Sequence, residues 1–168
     1  MTVGGESEDA PSGTYPNIEL YYTPITCQHC LVPACLSVCP ADAISRDPDT
    51  GVVMTDAEAC IGCKLCVEAC PYEARVFLDT DPEYYQGFKT GFADAPEHVV
   101  NTSEKCTFCK NRLDQGLEPA CMHLCPGRAR FYGDLDDPDS TVSKLIKERE
   151  SYRLLEEKGT EPSVYFLK

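Results

Sequence analysis

The chain has 168 residues, a formal net charge of −13 and no tryptophan, and 12 of its residues are cysteine. The negative charge argues against nucleic acid or an anionic membrane surface as the main partner, because both select basic proteins. No apolar run reaches the ~18 residues that a transmembrane helix needs. The first residues also lack the basic and apolar regions of a Sec signal peptide.

Residues 1–14 are rich in glycine, serine and acidic side chains, and we predict a flexible N-terminus there. The first cysteine group follows, with the spacing C-x2-C-x4-C-x3-C and a proline after its last cysteine. Its members are Cys27, Cys30, Cys35 and Cys39. Residues 44–46 and 52–55 then flank a turn rich in aspartate, proline and glycine, which predicts a short β-hairpin.

The second cysteine group has the spacing C-x2-C-x2-C-x3-C followed by proline, which is the ligand run of bacterial ferredoxins. Its members are Cys60, Cys63, Cys66 and Cys70. Three thiolates on one tight loop can reach three corners of a [4Fe–4S] cubane, whereas the fourth cysteine of two-cluster ferredoxins binds the other cluster. The same exchange predicts cluster A on Cys27, Cys30, Cys35 and Cys70, and cluster B on Cys60, Cys63, Cys66 and Cys39.

Residues 79–98 form an insertion rich in proline, glycine and aspartate, which predicts a loop. Because this loop is also aromatic, we expect it to cover a cluster or to contact a partner. A return strand is predicted to begin at Val99 and Val100. The third cysteine group follows with the spacing C-x2-C-x11-C-x3-C and a proline, and its members are Cys106, Cys109, Cys121 and Cys125.

All three cysteine groups end in Cys-Pro-x-x-Ala, so they form an internal repeat. Twelve cysteines in a chain with no visible export signal favour metal ligation over a disulfide scaffold. The crowded first and second groups favour cubanes over zinc, whereas the third group alone also fits a structural zinc site. We expect His29, inside the first loop, to bond sulfide or backbone. Arg75 and Arg130 follow the repeat ending, where pairing with buried acids or contact with a partner is one option and a role without either is the other.

Residues 136–168 are predicted to form a C-terminal helix and an arm. Ser140 is a predicted N-cap, and Val142, Leu145 and Ile146 lie on one face of the helix that follows. Residues 164–167 are predicted to form a short strand or an extended arm that would suit binding to a partner.

The chain resembles the iron–sulfur electron-transfer subunit of the dimethyl-sulfoxide-reductase family of molybdenum and tungsten enzymes. The resemblance is carried by GTYP (13–16), CQHCLVPACLSVCPADAI (27–44), CIGCKLCVEACPYEAR (60–75), KCTFCKNRLDQGLEPACMHLCP (105–126) and the tail GTEPSVYFL (159–167). It implies a loop-rich α+β protein with a ferredoxin-like dicluster fold and an additional iron–sulfur cluster-binding segment. Such a protein is not itself an enzyme. It relays single electrons to or from a molybdopterin-containing catalytic subunit in a hetero-oligomer, and exchanges them with a further donor or acceptor protein.

On this interpretation the chain has four segments after its flexible N-terminus. They are a dicluster ferredoxin-like domain (15–78), the insertion loop (79–98), a third cluster-binding segment (99–135) and the C-terminal helix and arm (136–168). We find no nucleotide-binding or hydrolytic motif in any of them, which agrees with a chain that does no bond-making chemistry.

Members of the family usually carry a fourth cysteine group upstream of the G-T-Y-P segment, whereas residues 1–26 contain no cysteine. In the family that group exchanges its fourth ligand with the last group, so Cys125 has no cluster to which it can donate. We therefore expect Cys106, Cys109, Cys121 and Cys125 to hold the third cluster together, which makes three [4Fe–4S] clusters in all. A fourth ligand from a partner, a three-iron cluster and zinc are the alternatives.

A second class of function stays open, namely a free polyferredoxin-like carrier for a hydrogenase or for an aldehyde or carbon monoxide dehydrogenase. Family members remain in the cytoplasm or are exported with a signal-bearing partner. We expect a cytoplasmic protein, with the periplasm as the alternative. A chain so rich in loops buries too little apolar surface to fold alone, so we expect cluster binding to supply folding free energy.

Overall fold

The computed structural model describes residues 12–20, 22–83, 88 and 95–168. The strands are β1 (Ser12–Thr14), β2 (Asn17–Glu19), β3 (Ile44–Arg46), β4 (Val53–Thr55), β5 (Val76–Phe77), β6 (Ser103–Glu104), β7 (Ser151–Tyr152) and β8 (Phe166–Leu167). The helices are α1 (Ala34–Ser37), α2 (Leu65–Glu68), α3 (Lys110–Leu113), α4 (Ala120–His123) and α5 (Thr141–Glu148), and a 3-10 turn covers Glu156–Lys158. Within these ranges, no helix has the length and apolar character needed to cross a bilayer.

Strands that follow one another in the chain pair with each other. β1 pairs with β2, β3 with β4, β5 with β6 and β7 with β8, always antiparallel. This mixture of short helices and small antiparallel ladders agrees with the expected α+β ferredoxin-like class. A two-stranded ladder is marginally stable in water on its own, so these elements depend on what packs between them.

The predicted hairpin between the first two cysteine groups is confirmed by the pairing of β3 with β4. Its turn closes because the Asp47 carboxylate accepts hydrogen bonds from the backbone N–H groups of Asp49 and Thr50, at 2.9 and 3.1 Å. The alternation of the two strands then directs Ile44 and Val53 into the interior, where Val53 is only 1% exposed.

The core lies between the first two cysteine groups. The buried side chains at its centre are Ile44, Val53 and Cys66, and the partly buried Cys35, Cys39 and Val67 pack against them. Helices α1 and α2 carry the third cysteine of their groups and contact each other. Since thiols form much of this core, the interior of the fold and the candidate ligands occupy the same place.

The predicted N-cap of the C-terminal helix is confirmed. The Ser140 hydroxyl accepts a hydrogen bond from the Ser143 N–H at 3.2 Å, which satisfies one of the free donors in the first turn of α5. The Ser143 hydroxyl in turn lies 3.2 Å from the Leu135 carbonyl oxygen and donates to it. These bonds tie the start of α5 to the loop before it.

The C-terminal tail forms the predicted short strand, β8, but it is not an extended arm. β8 pairs with β7, and the residues before it bond to the first cysteine loop. The Ser163 N–H donates to the Gln28 carbonyl at 2.9 Å, and the Leu31 N–H donates to the Glu161 carbonyl at 2.9 Å. The tail therefore closes over the first cysteine loop of its own chain.

The return strand after the insertion begins later than predicted. Val99 precedes a turn that begins at Val100, and β6 begins at Ser103, where it pairs with β5. This pairing joins the second cysteine group to the segment of the third. Residues 84–87 and 89–94 of the insertion lie outside the described residues, so its contact with a cluster or a partner stays a prediction.

Candidate iron–sulfur cluster sites

One cavity beside the first cysteine loop is lined by the four thiols of Cys27, Cys30, Cys35 and Cys70, and we call it site A. Three of these thiols belong to the first cysteine group and the fourth comes from the second group. The cavity has a volume of about 360 Å³ including its open mouth. The structure thus brings together the four residues that the ligand exchange predicts for cluster A.

A second cavity, site B, is lined by the four thiols of Cys39, Cys60, Cys63 and Cys66. Here three thiols belong to the second group and one comes from the first. Gly62 on its wall has a φ of +70°, and a Cβ at this position would lie 2.7 Å from the Asn101 carbonyl oxygen. Both the left-handed backbone and the close approach require glycine.

The three cysteine loops repeat a backbone conformation as well as a sequence. Positive φ angles recur two residues after the first cysteine of each group, at His29 (42°), Gly62 (70°) and Phe108 (55°). They recur again three residues after the last cysteine, at Asp42 (51°), Glu73 (50°) and Arg128 (44°). Such angles are uncommon outside glycine, so their recurrence indicates that the repeated motif specifies one loop geometry.

The donors at sites A and B fit an iron–sulfur cluster. Each site offers four free thiols, and thiolates are the ligands of [4Fe–4S] clusters. Among the residues that the structure describes, no three His, Cys, Asp or Glu side chains are grouped as they would be around a single metal ion. In a cubane each thiolate binds a different iron atom, so the four thiols need not converge on one point.

Burial raises the pKa of the Cys27 and Cys30 thiols above the usual value. The Lys105 ammonium opposes this shift at Cys27, and a hydrogen bond with Thr160 opposes it at Cys30. Without a metal these thiols hold their protons at neutral pH. Binding of iron requires the thiolates and therefore releases those protons.

The third cysteine group, which we call site C, is more open than the other two. Its members are Cys106, Cys109, Cys121 and Cys125, of which Cys106 and Cys121 are exposed. The Ala120 N–H donates to Cys109 Sγ at 3.4 Å, which holds the start of α4 against the C-x2-C pair. The Ala129 N–H donates to Cys125 Sγ at 3.4 Å, and this bond is the main cause of a lowered pKa of the Cys125 thiol.

His29 makes the backbone contact that we predicted. Its Nδ1 accepts a hydrogen bond from the Val53 N–H at 3.1 Å, and its ring meets Phe108 edge to face. Burial lowers the pKa of His29 to about 3, with smaller contributions from the charges of Lys105 and Arg75. The ring is therefore neutral at physiological pH.

Among the described residues, Arg75 pairs with hydroxyls and a thiol and not with a buried acid. The Arg75 side chain is 4% exposed, and its Nη1 donates to the hydroxyls of Thr55 and Ser103 at 3.2 and 3.1 Å. The equivalent residue of the third group, Arg130, is exposed. The same repeat position therefore has different surroundings in different groups.

Two residues at site A have no place in the sequence-based predictions. The Lys105 ammonium donates to the backbone carbonyls of Val53 and Cys106, and its only signal in the sequence is its position directly before Cys106. The Thr160 hydroxyl lies 2.7 Å from the Tyr72 hydroxyl. No sequence signal could reveal Thr160, because it reaches the site only through the folding of the distant tail.

Comparison with known proteins agrees with this chemistry. The family described as 4Fe-4S dicluster domain matches residues 18–84 and 93–135. The putative iron–sulfur subunit of a dimethyl sulfoxide reductase from Halobacterium salinarum is 48% identical over 99% of this chain and 65% of its own length. A subunit of the selenate reductase from Mesobacillus selenatarsenatis is 38% identical over 92% of this chain and 58% of its own length.

A third relative is matched over more of its length. The arsenate respiratory reductase iron–sulfur subunit of a Shewanella species is 37% identical over 93% of this chain and 79% of its own length. The chain spans about three-fifths of the length of the Halobacterium and Mesobacillus relatives. It belongs to the 4Fe-4S dicluster family of iron–sulfur subunits of the dimethyl-sulfoxide-reductase type, the family that its cysteine motifs resemble.

Proposed function

We propose that the chain is a non-catalytic subunit that relays single electrons through [4Fe–4S] clusters to or from a molybdopterin-containing catalytic subunit. The observation that carries this proposal is the composition of sites A and B. Each cavity is lined by three thiols of one cysteine group and the fourth thiol of the other. This exchange is the ligand pattern of two-cluster ferredoxins, which transfer one electron at a time.

We assign one cluster to each of these sites. Cluster A is bound by Cys27, Cys30, Cys35 and Cys70, and cluster B by Cys39, Cys60, Cys63 and Cys66. When bound, each cluster supplies a one-electron redox centre. The chain holds the thiolates and limits the access of water to the cluster. The shared core of Ile44, Val53 and Cys66 keeps the two sites adjacent. This adjacency supports electron transfer between them.

A third cluster on Cys106, Cys109, Cys121 and Cys125 completes the proposal. The repeated positive φ angles support it, because this group turns at the same two positions as the groups of sites A and B. Lys105 also supports it. Its ammonium donates to the Cys106 carbonyl at 2.9 Å and its side chain lines site A, so site C begins beside site A.

The charge of the loaded chain favours a basic partner. The polypeptide has a formal net charge of −13, and each oxidised cluster with its four thiolates adds about −2. Reduction makes the chain more negative still. A catalytic subunit with a basic docking face would therefore associate faster at low ionic strength.

The test is to purify the full chain anaerobically, both alone and from its native complex. We expect about twelve iron and twelve sulfide per chain, together with reduction by dithionite that consumes one electron per cluster. A colourless protein that contains zinc and no iron would contradict the proposal. Native co-purification should yield a large pterin-containing subunit. Recovery with a hydrogenase or dehydrogenase instead would support the polyferredoxin-like alternative.

A further inference from the structure

Arg75 is a buried positive charge that lacks an acidic partner. Its side chain is 4% exposed, and its Nε and Nη2 atoms have no hydrogen-bond partner among the described residues. No ion pair with a carboxylate is formed by Arg75 within the described part of the chain, and its contacts there are hydroxyls and a thiol. A desolvated guanidinium is costly unless a negative charge compensates it. No carboxylate of the described residues therefore serves as its counter-charge.

Arg75 lies beside both candidate cluster sites. Its Nη1 lies 3.8 Å from Cys66 Sγ, and the two hydroxyls that it also contacts, those of Thr55 and Ser103, line site B. The same side chain lines site A together with Cys27 and Cys70. One guanidinium thus reaches both candidate cluster sites.

The other cations of the two sites differ from Arg75. Lys64 at site B is half exposed and forms an ion pair with Asp79 at 2.9 Å, so its charge is already balanced and in contact with solvent. Lys105 lines site A, and its ammonium donates to the backbone carbonyls of Val53 and Cys106, whereas Arg75 contacts side chains on the wall of site B. In the portion of the chain that the structure describes, neither cavity is lined by an aspartate or a glutamate. Arg75 lines site A and also contacts the Cys66 thiol and two hydroxyls on the wall of site B, so it is the cation that reaches both sites in the described part of the chain.

We propose that Arg75 is the shared counter-charge of clusters A and B and raises the reduction potentials of both. This inference rests on the proposed function. When one electron enters a cluster from an external donor, the charge of the cluster with its thiolates changes from about −2 to about −3, and no bond forms or breaks. A fixed cation in the dry interior attracts the reduced form more strongly than the oxidised form.

The test compares three variants of the full chain with clusters in place. Arg75→Met removes the charge and keeps the length of the side chain, Arg75→Lys keeps the charge with fewer donors, and Arg149→Met removes an equal charge from an exposed position. Midpoint potentials are measured by anaerobic dithionite titration followed by EPR. We expect Arg75→Met to lower the equilibrium constant for reduction of two clusters by about tenfold each, which is 59 mV for one electron.

Arg75→Lys should keep both equilibrium constants within about threefold of the wild-type values, and Arg149→Met should leave them unchanged. A shift in only one cluster, or in none, would overturn the shared role. Equal shifts in Arg75→Lys and Arg75→Met would also overturn it, because they would show that hydrogen-bond geometry and not charge sets the potentials.

If Arg75→Met fails to hold iron, the iron content of Arg75→Lys decides the question. Wild-type content in Arg75→Lys supports the charge, whereas equal loss contradicts it. A wild-type chain without iron and sulfide would overturn the proposed function and this inference together. A wild-type chain with its clusters, whose potentials do not change in Arg75→Met, would overturn this inference alone.

Discussion

The exchange of cysteines between sites A and B can be tested with two double variants that each remove two thiols. Cys39→Ala with Cys60→Ala removes both thiols from site B and leaves site A whole. Cys60→Ala with Cys70→Ala removes one thiol from each site. If the chain binds three [4Fe–4S] clusters, the first variant should keep about two intact clusters and the second about one.

Spin integration of the EPR signal of the reduced protein counts the intact clusters, and iron analysis checks the total. The oxidised second variant should also show three-iron clusters, because each damaged site keeps three thiolates. The two variants carry the same number and type of substitutions, so a general loss of stability affects both alike. The reverse order, with more intact clusters in the second variant, would show that each group binds its own cluster and would refute the assignment.

Three further predictions concern the stability of the fold. Gly62→Ala should lower the free energy of unfolding more than Gly116→Ala does. Both glycines have a positive φ, but only at Gly62 does a Cβ meet the Asn101 carbonyl oxygen. We expect a loss of about 1–2 kcal/mol from backbone strain at Gly116 and a larger loss at Gly62, both measured by chemical unfolding. Equal losses in the two variants would contradict the role of the contact with Asn101. Tyr72→Phe should destabilise the chain by about 1 kcal/mol, since it removes the buried hydrogen bond with Thr160. An unchanged unfolding midpoint would argue against it. Chelation of iron should abolish the native circular dichroism, and a native-like apo spectrum would refute the dependence of the fold on its clusters.

Local features of this protein were readable from short stretches of sequence. The hairpin of β3 and β4 follows from a turn whose Asp47 bonds two backbone N–H groups. The cap of α5 follows from Ser140 for the same kind of reason. Such structures are stabilised by groups a few residues apart, so a short window of sequence contains every partner. The return strand begins at Ser103 and not at Val99, because β6 is positioned by its pairing with β5. β5 lies too far away in the sequence for a short window to contain it.

The cysteine motifs, with the G-T-Y-P segment and the tail, were enough to indicate the family of this protein, and the cysteine spacing was enough to indicate thiolate ligands for clusters. Loop length and the proline after each last cysteine restrict the backbone locally, and the repeated positive φ angles reflect that restriction. Only the tertiary structure decided what surrounds the thiols. It placed Arg75 beside two sites with no acid in contact among the described residues, and it folded the tail so that Thr160 meets Tyr72. These contacts join residues far apart in the chain, and burial, which gives them their electrostatic strength, exists only after the chain has folded.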